Sequence, residues 1–250
     1  MIGLWAEPGV EPSRLASLTE RLTGRMPAET LVEPPASGIY LALTGAGLEL
    51  RVADMPWQGL RADWLDAGLD RRAREGRRAL IARALGLRGI AIPRILDATC
   101  GLGRDSAHLL RLGCRVSAIE RSPIVAALVA DAAERADIAG AAWIGGWCGI
   151  AVDEAPARLN DLVASEFDAI YLDPMFGGGQ RSALPKRDLQ MLRRVVGDDP
   201  DAGALLEAAR ATGLRVAMKH HPRSPVLAPP DHQVRGGRAR FDVYLPVSGS

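Results

Sequence analysis

Lysine is almost missing from this 250-residue chain: Lys186 and Lys219 are the only two among 31 basic residues, so its positive charge is arginine. Cysteine is scarce as well. Cys100, Cys114 and Cys148 are an odd number without CxxC spacing, which argues against a disulfide framework and a zinc site and leaves buried reduced thiols as the expectation. No stretch reaches the roughly 18 uninterrupted apolar residues of a membrane span. The start, MIGLWAEPGVEPSR, lacks a basic region followed by an apolar run, so the chain reads as cytoplasmic. A strong net charge is also lacking, at +1, while 48% hydrophobic and 24% charged residues suit a folded core and exclude disorder across the chain.

The charge that is present is unevenly spread. From Arg71 to Arg94 eight arginines face the single acid Glu75, and a second basic region from Arg210 to Arg240 gathers Lys219, Arg223, Arg235, Arg238 and Arg240 with three histidines. Two such segments suggest a polyanion-binding face, a solvated helix surface being the plain alternative.

Length allows one large α/β domain with a small appendage. Residues 1–66, punctuated by proline and glycine, read as a small N-terminal α/β subdomain in which IYLALTG and LELRVAD form a hairpin. Residues 67–250 read as the main domain. Apolar positions at Leu69, Ala73, Leu80, Ile81, Ala84 and Leu85 predict one helix over 67–88, ended by Gly86 and Gly89, with the arginines on its other face. Strand-like runs then alternate with helical ones: ILDAT (95–99), CRVSAIE (114–120), FDAIYLD (167–173) and LRVAMKH (214–220). Such alternation implies a parallel sheet covered on both faces. FDVYLP (241–246) follows with no intervening helix and should pair antiparallel.

Three motifs carry chemistry. Asp97-Ala98-Thr99-Cys100-Gly101-Leu102-Gly103-Arg104-Asp105 lies where a strand turns into a helix. Glycines there let a ligand approach the backbone, and the helix start offers N–H groups. A dinucleotide fingerprint would need glycine where Ser106 stands. With Asp97 four residues before Gly101, the pattern fits the loop that cups the amino-acid end of S-adenosylmethionine. Glu120, 17 residues after Gly103 at the next strand's tip, is placed to accept from both ribose hydroxyls, and Ser122-Pro123 opens the following helix. The third motif is Tyr171-Leu172-Asp173-Pro174-Met175-Phe176. Asp173 and the Pro174 carbonyl could hold both hydrogens of an exocyclic amino group while Phe176 stacks on a base taken out of its helix. Asp153 and Glu154 lie where an acid could meet adenine, or are solvated loop charges. Trp143 and Trp147 read as packing aromatics, and His220 and His221 as possible phosphate contacts. No metal site is implied.

LDATCGLGRD, ERSPIVAALVAD, YLDPMF with QRSALPKR, RVAMKHHP and RARFDVYLP, in this order and spacing, resemble the RsmJ family of small-subunit ribosomal RNA guanine-N2 methyltransferases from about Arg71 to the C-terminus. The resemblance implies a Rossmann-like, S-adenosylmethionine-dependent methyltransferase with a mostly parallel seven-stranded sheet and a C-terminal antiparallel hairpin. Its partner would be small-subunit ribosomal RNA or the small subunit itself. By position, Arg104, Asp105, Glu120, Arg121 and Asp173 would contact the cofactor, whereas the family's small polar pair falls near Asp153 to Ala155, where this sequence differs. The expected reaction is direct in-line methyl transfer without a covalent enzyme intermediate. The rivals are an amino-methyltransferase of DNA adenine or protein glutamine, a non-catalytic ribosome-assembly factor, and a dehydrogenase.

Overall fold

A computed structural model describes residues 1–24, 26–54, 59–174, 191–192 and 202–246. Two sheets organise them. The first has the order β2-β1-β3-β4, built from β1 (Ile2–Ala6), β2 (Ala28–Leu31), β3 (Ile39–Thr44) and β4 (Gly47–Val52), with helix α1 (Pro12–Thr23) after β1. Only β3–β4 is antiparallel, and it is the hairpin read from the sequence; Gly45 and Ala46 make its turn, and Gly47, at φ +127, starts β4. Leu41, Leu43, Leu48 and Leu50 of this hairpin are buried.

The helix expected over 67–88 is broken. Asp66 caps α2 (Ala67–Ala73) by accepting from Gly68 N–H at 2.8 Å. The chain then passes through Gly76 at φ +56, makes one tight turn over Gly76–Arg78, and restarts as α3 (Leu80–Ala84). Left-handed backbone at Gly76 cannot continue an α-helix, and the apolar spacing alone does not reveal it.

The second sheet has the order β10-β11-β9-β8-β5-β6-β7. Its strands are β5 (Arg94–Asp97), β6 (Arg115–Glu120), β7 (Trp147–Val152), β8 (Ala169–Leu172), β9 (Arg215–His220), β10 (His232–Arg235) and β11 (Arg240–Tyr244). All pairs are parallel except β9–β11 and β10–β11, as FDVYLP implied, so the fold is Rossmann-like with an antiparallel edge. Helices α4 (Arg104–Arg111), α5 (Pro123–Ile138), α6 (Ala155–Asn160) and α7 (Ala202–Ala211) connect the strands. Ile95, Val116, Ile170, Val216 and Val243 are fully buried and form the sheet's core.

The two sheets meet at α5. Asp131, buried on that helix, accepts from Leu48 N–H at 3.1 Å and from Arg135 at 2.7 Å, and Arg135 also donates to the Ala62 carbonyl. Among the described residues no helix is long and apolar enough to cross a membrane.

Candidate active site

From β5 the chain winds outward through β6 and β7, then returns to β8 on the other side of β5. Connections therefore leave β5 and β8 in opposite directions, and their carboxyl ends open a crevice of the kind in which such sheets take ligands. Both of the strongest sequence motifs lie there.

The loop after β5 has Gly101 at φ +53 and Gly103 at φ +69, left-handed conformations that favour glycine. Its back is solid. A Cβ on Gly103 would lie 2.7 Å from the ring of Trp64, which is fully buried, donates its indole N–H to the Leu102 carbonyl at 3.1 Å, and meets Trp147 edge-on at 4.9 Å. Trp143 lies beside this pair, so both tryptophans pack, as expected. Trp64 belongs to no motif, and nothing in its local sequence marks it. The face at Gly101 is open: a Cβ there would meet no atom within 4 Å. A rigid loop with an open glycine face can admit a ligand's polar end against its backbone.

Glu120 ends β6 and is buried. Its two carboxylate oxygens accept from Gly101 N–H and Ser122 N–H, each at 2.9 Å, so one side chain ties the glycine loop to the next strand's turn. Ser122 caps α5 by accepting from Val125 N–H, and Pro123 is its first residue, as the sequence indicated. Asp153 and Glu154 follow β7 and are exposed. Asp153 N–H donates to the Glu120 carbonyl at 3.3 Å, which puts that acidic pair beside Glu120 in backbone terms.

Asp97 is buried at the end of β5, accepting from Ser106 Oγ at 2.5 Å and from Thr99 N–H at 3.2 Å. Burial pushes its carboxyl up to about 7, although both bonds pull it down. Thr99 Oγ1 in turn accepts from Asp173 N–H at 2.6 Å, joining the glycine loop to the Asp-Pro turn across 74 residues of chain.

At that turn Lys219, from β9, donates from Nζ to Asp173 Oδ2 and Asp105 Oδ2, both at 2.6 Å. Asp105 accepts further from Tyr171 Oη at 2.6 Å and from Arg72 at 2.9 Å. Against the upward push of burial, Lys219 and Arg72 hold Asp105 well below the usual carboxylate range, and the two carboxylates hold Lys219 firmly charged. Asp173 is raised by desolvation, with Asp105 adding to it and Lys219 opposing.

Other residues expected at the site have these surroundings. The first-turn neighbour of Asp105, Arg104, donates to Asp66 at the α2 cap at 2.8 Å. Arg121 is half-buried after β6, Pro174 is buried, and Phe176 lies outside the described residues. The basic segments divide into internal and surface groups. Arg77 donates to the carbonyls of Leu87 and Ala91, and Arg94 binds Asp168 at 2.9 Å. Arg240 is buried against Asp242, with His220 on the same carboxylate at 3.3 Å. Lys219, His220 and Arg240 are therefore not surface phosphate ligands: each is buried or half-buried against a carboxylate. Of the cysteines, Cys100 and Cys114 are buried and Cys148 is exposed. Among the described residues no cluster of His, Cys, Asp and Glu is placed to hold a metal ion.

Comparison with known proteins agrees with this geometry. Residues 26–246 match a family model described as "Putative SAM-dependent methyltransferase". Similar relatives named ribosomal RNA small subunit methyltransferase J occur in Pectobacterium atrosepticum, 38% identical over 98% of this chain and 99% of the relative, and in Laribacter hongkongensis, 39% identical over 98% and 87%. A solved SAM-dependent methyltransferase from Neisseria gonorrhoeae superposes with a TM-score of 0.75 at 27% identity, covering 99% of this chain and 97% of its own.

Proposed function

Because the chain belongs to the ribosomal RNA small subunit methyltransferase J family, we propose that it transfers a methyl group from S-adenosylmethionine to the exocyclic N2 of a guanine in small-subunit ribosomal RNA. The observation that carries this reading is the bond from Asp173 N–H to Thr99 Oγ1, which fixes the Asp-Pro turn to the glycine loop at the crevice. Cofactor cradle and amino-group acceptor thereby share one rigid corner.

The residues present fit the cofactor. The open face at Gly101 and the N–H groups starting α4 suit its amino-acid end, with Asp97 beneath, and Glu120 suits its ribose. Asp153 or Glu154, beyond β7 and next to the Glu120 backbone, suits the adenine end. When bound, S-adenosylmethionine supplies an electrophilic methyl carbon on a sulfonium sulfur. Asp173 does the chain's own part. A guanine amino nitrogen is a weak nucleophile because its lone pair is delocalised into the ring. A carboxylate accepting one of its hydrogens favours a pyramidal nitrogen with the lone pair directed outward. Asp173 is also able, as a carboxylate, to receive the proton that the nitrogen sheds. Such an interaction strengthens as charge develops, so it lowers the barrier rather than merely binding substrate. The Pro174 carbonyl and Phe176 complete the amino-group and base contacts in this reading.

A basic rim supports RNA as the partner. The β10–β11 turn packs so tightly on α3 that a Cβ on Gly236 would collide with Leu80. Through the register Arg235–Arg240–His220 this turn stands at the carboxyl end of the parallel strands, beside the crevice. Exposed Arg235 and Arg238 thus join exposed Arg71, Arg74 and Arg78. Among the described residues none of these five forms an ion pair.

Methyl-labelled cofactor offered small subunits, free ribosomal RNA, DNA and total protein tests the assignment. Label is expected in ribosomal RNA as N2-methylguanine, and label confined to DNA or protein overturns it. In single-turnover methylation at saturating cofactor, Asp173→Ala should lose at least about a hundred-fold in rate, the scale of one preorganised electrostatic interaction. A near-parental rate makes the turn structural.

A further inference from the structure

Lys219 has no part in the methyl transfer as derived from Asp173, yet it donates a hydrogen bond to both Asp105 and Asp173. Its side chain is largely buried, and no apolar function explains a lysine in the strand RVAMKH. We propose that Lys219 is a positioning residue: by holding Asp173 Oδ2, it fixes the orientation and charge of that carboxylate and leaves Oδ1 turned to the substrate amino group. This rests on Asp173 being the amino-group acceptor.

The groups around Asp173 make such a device necessary. Asp97 faces it from the end of β5, Asp105 from α4, Tyr171 from β8 and Arg72 from α2, with Lys219 on β9. Three carboxyl groups crowd one partly desolvated corner, and each one that is charged makes the others easier to protonate. A protonated Asp173 would be unable to take a proton from the reacting nitrogen. Tyr171 gives its hydroxyl to Asp105, and Arg72 also goes to Asp105. Lys219 is therefore the cation whose bonds reach Asp173, and it comes from the strand beside the one that carries it.

The test follows carboxyl carbon-13 resonances of the free protein through a pH titration, with Asp173 identified by its loss in Asp173→Asn. Lys219→Met should raise the Asp173 midpoint by roughly 1 to 3 units, the effect of removing an adjacent opposite charge. Lys219→Arg should return it most of the way. Asp105→Asn should move it the other way, downward, and serves alone if Lys219→Met does not fold. A midpoint unmoved in the variants that fold overturns the proposal, since a purely structural lysine would alter melting and nothing else. The acid limb of single-turnover methylation should shift with the carboxyl. If the carboxyl shifts and the limb does not, the Lys219 bridge stands and the assignment of Asp173 as acceptor falls.

Discussion

Replacing Glu120 by Gln separates the two tasks assigned to that side chain. Its oxygens accept from Gly101 and Ser122 N–H, and it is buried, so both bonds are made to a charged acceptor out of bulk water. An amide of the same shape has one oxygen. Its nitrogen must face one of the two N–H groups, donor against donor, so one bond disappears. A bond to a charged group is worth about 1.5 to 3 kcal/mol. In a chain of this size, at about 2 to 4 °C per kcal/mol, thermal unfolding should fall by about 3 to 12 °C. That much follows whether or not a ligand binds. If Glu120 also accepts from ribose hydroxyls, the amide forfeits a second charge-assisted bond, and S-adenosylmethionine affinity should drop by about ten-fold to over a hundred-fold. Calorimetric titration measures that drop, and melting with and without ligand separates it from instability. A Gln variant that melts early but binds S-adenosylmethionine within a factor of about two would show Glu120 to be a loop brace alone.

Two further perturbations probe the corner and its rim. Asp97 titrates near pH 7 when folded and near 4 when unfolded, so between these values only the folded state keeps its proton and stability falls as pH rises, by about 1.4 kcal/mol per unit. Asp97→Asn has no such slope, so denaturant unfolding should favour it over the parent by about 2 to 3 kcal/mol more at pH 7 than at pH 5, and a constant difference would show that Asp97 is not desolvated. Changing Arg71, Arg74 and Arg78 together to Gln should weaken RNA binding and flatten its salt dependence by about one unit of slope for each phosphate no longer neutralised, with cofactor affinity unmoved. An unaltered slope makes the rim a solvated surface.

What the sequence made legible was whatever depends on near neighbours. Strands β5, β6, β8, β9 and β11 are largely buried, and their mainly apolar runs stand out in the sequence. WCGIAV, which contains a glycine and lies at the sheet edge, and the polar HQVR are strands only because β6 and β11 lie beside them. The Gly101-to-Glu120 relation was readable from spacing because one helix and one strand, α4 and β6, separate them. Lys219 was not: its partners are 114 and 46 residues away, and only the folded arrangement of β8, β9 and α4 brings them to 2.6 Å. Grouped by sequence it looked like a member of a basic surface. The same reasoning divides the arginines, since whether Arg77 reaches a carbonyl or solvent depends on the break at Gly76.

The position of these polar groups bears directly on function. The middle of β5, β8 and β9 follows the ordinary rule, with apolar side chains such as Ile95, Ile170 and Val216 filling it. At the carboxyl ends of β5, β8 and β9 the rule is broken by Asp97, Asp173 and Lys219, with Asp105 brought in by α4. Replacing a buried ion pair with apolar residues is often neutral or stabilising, so the fold itself does not require this cluster. The Arg240–Asp242 pair is also buried, but its cation and anion satisfy one another and Arg240 also donates to a carbonyl of the loop after β9, which is what a structural pair looks like. The Asp97–Asp105–Asp173 corner has three acids against Lys219 and Arg72, and Asp173 stands half-exposed at its crevice side. An excess of acceptors facing a ligand site suits a substrate that presents donors, such as an amino group held by both its hydrogens.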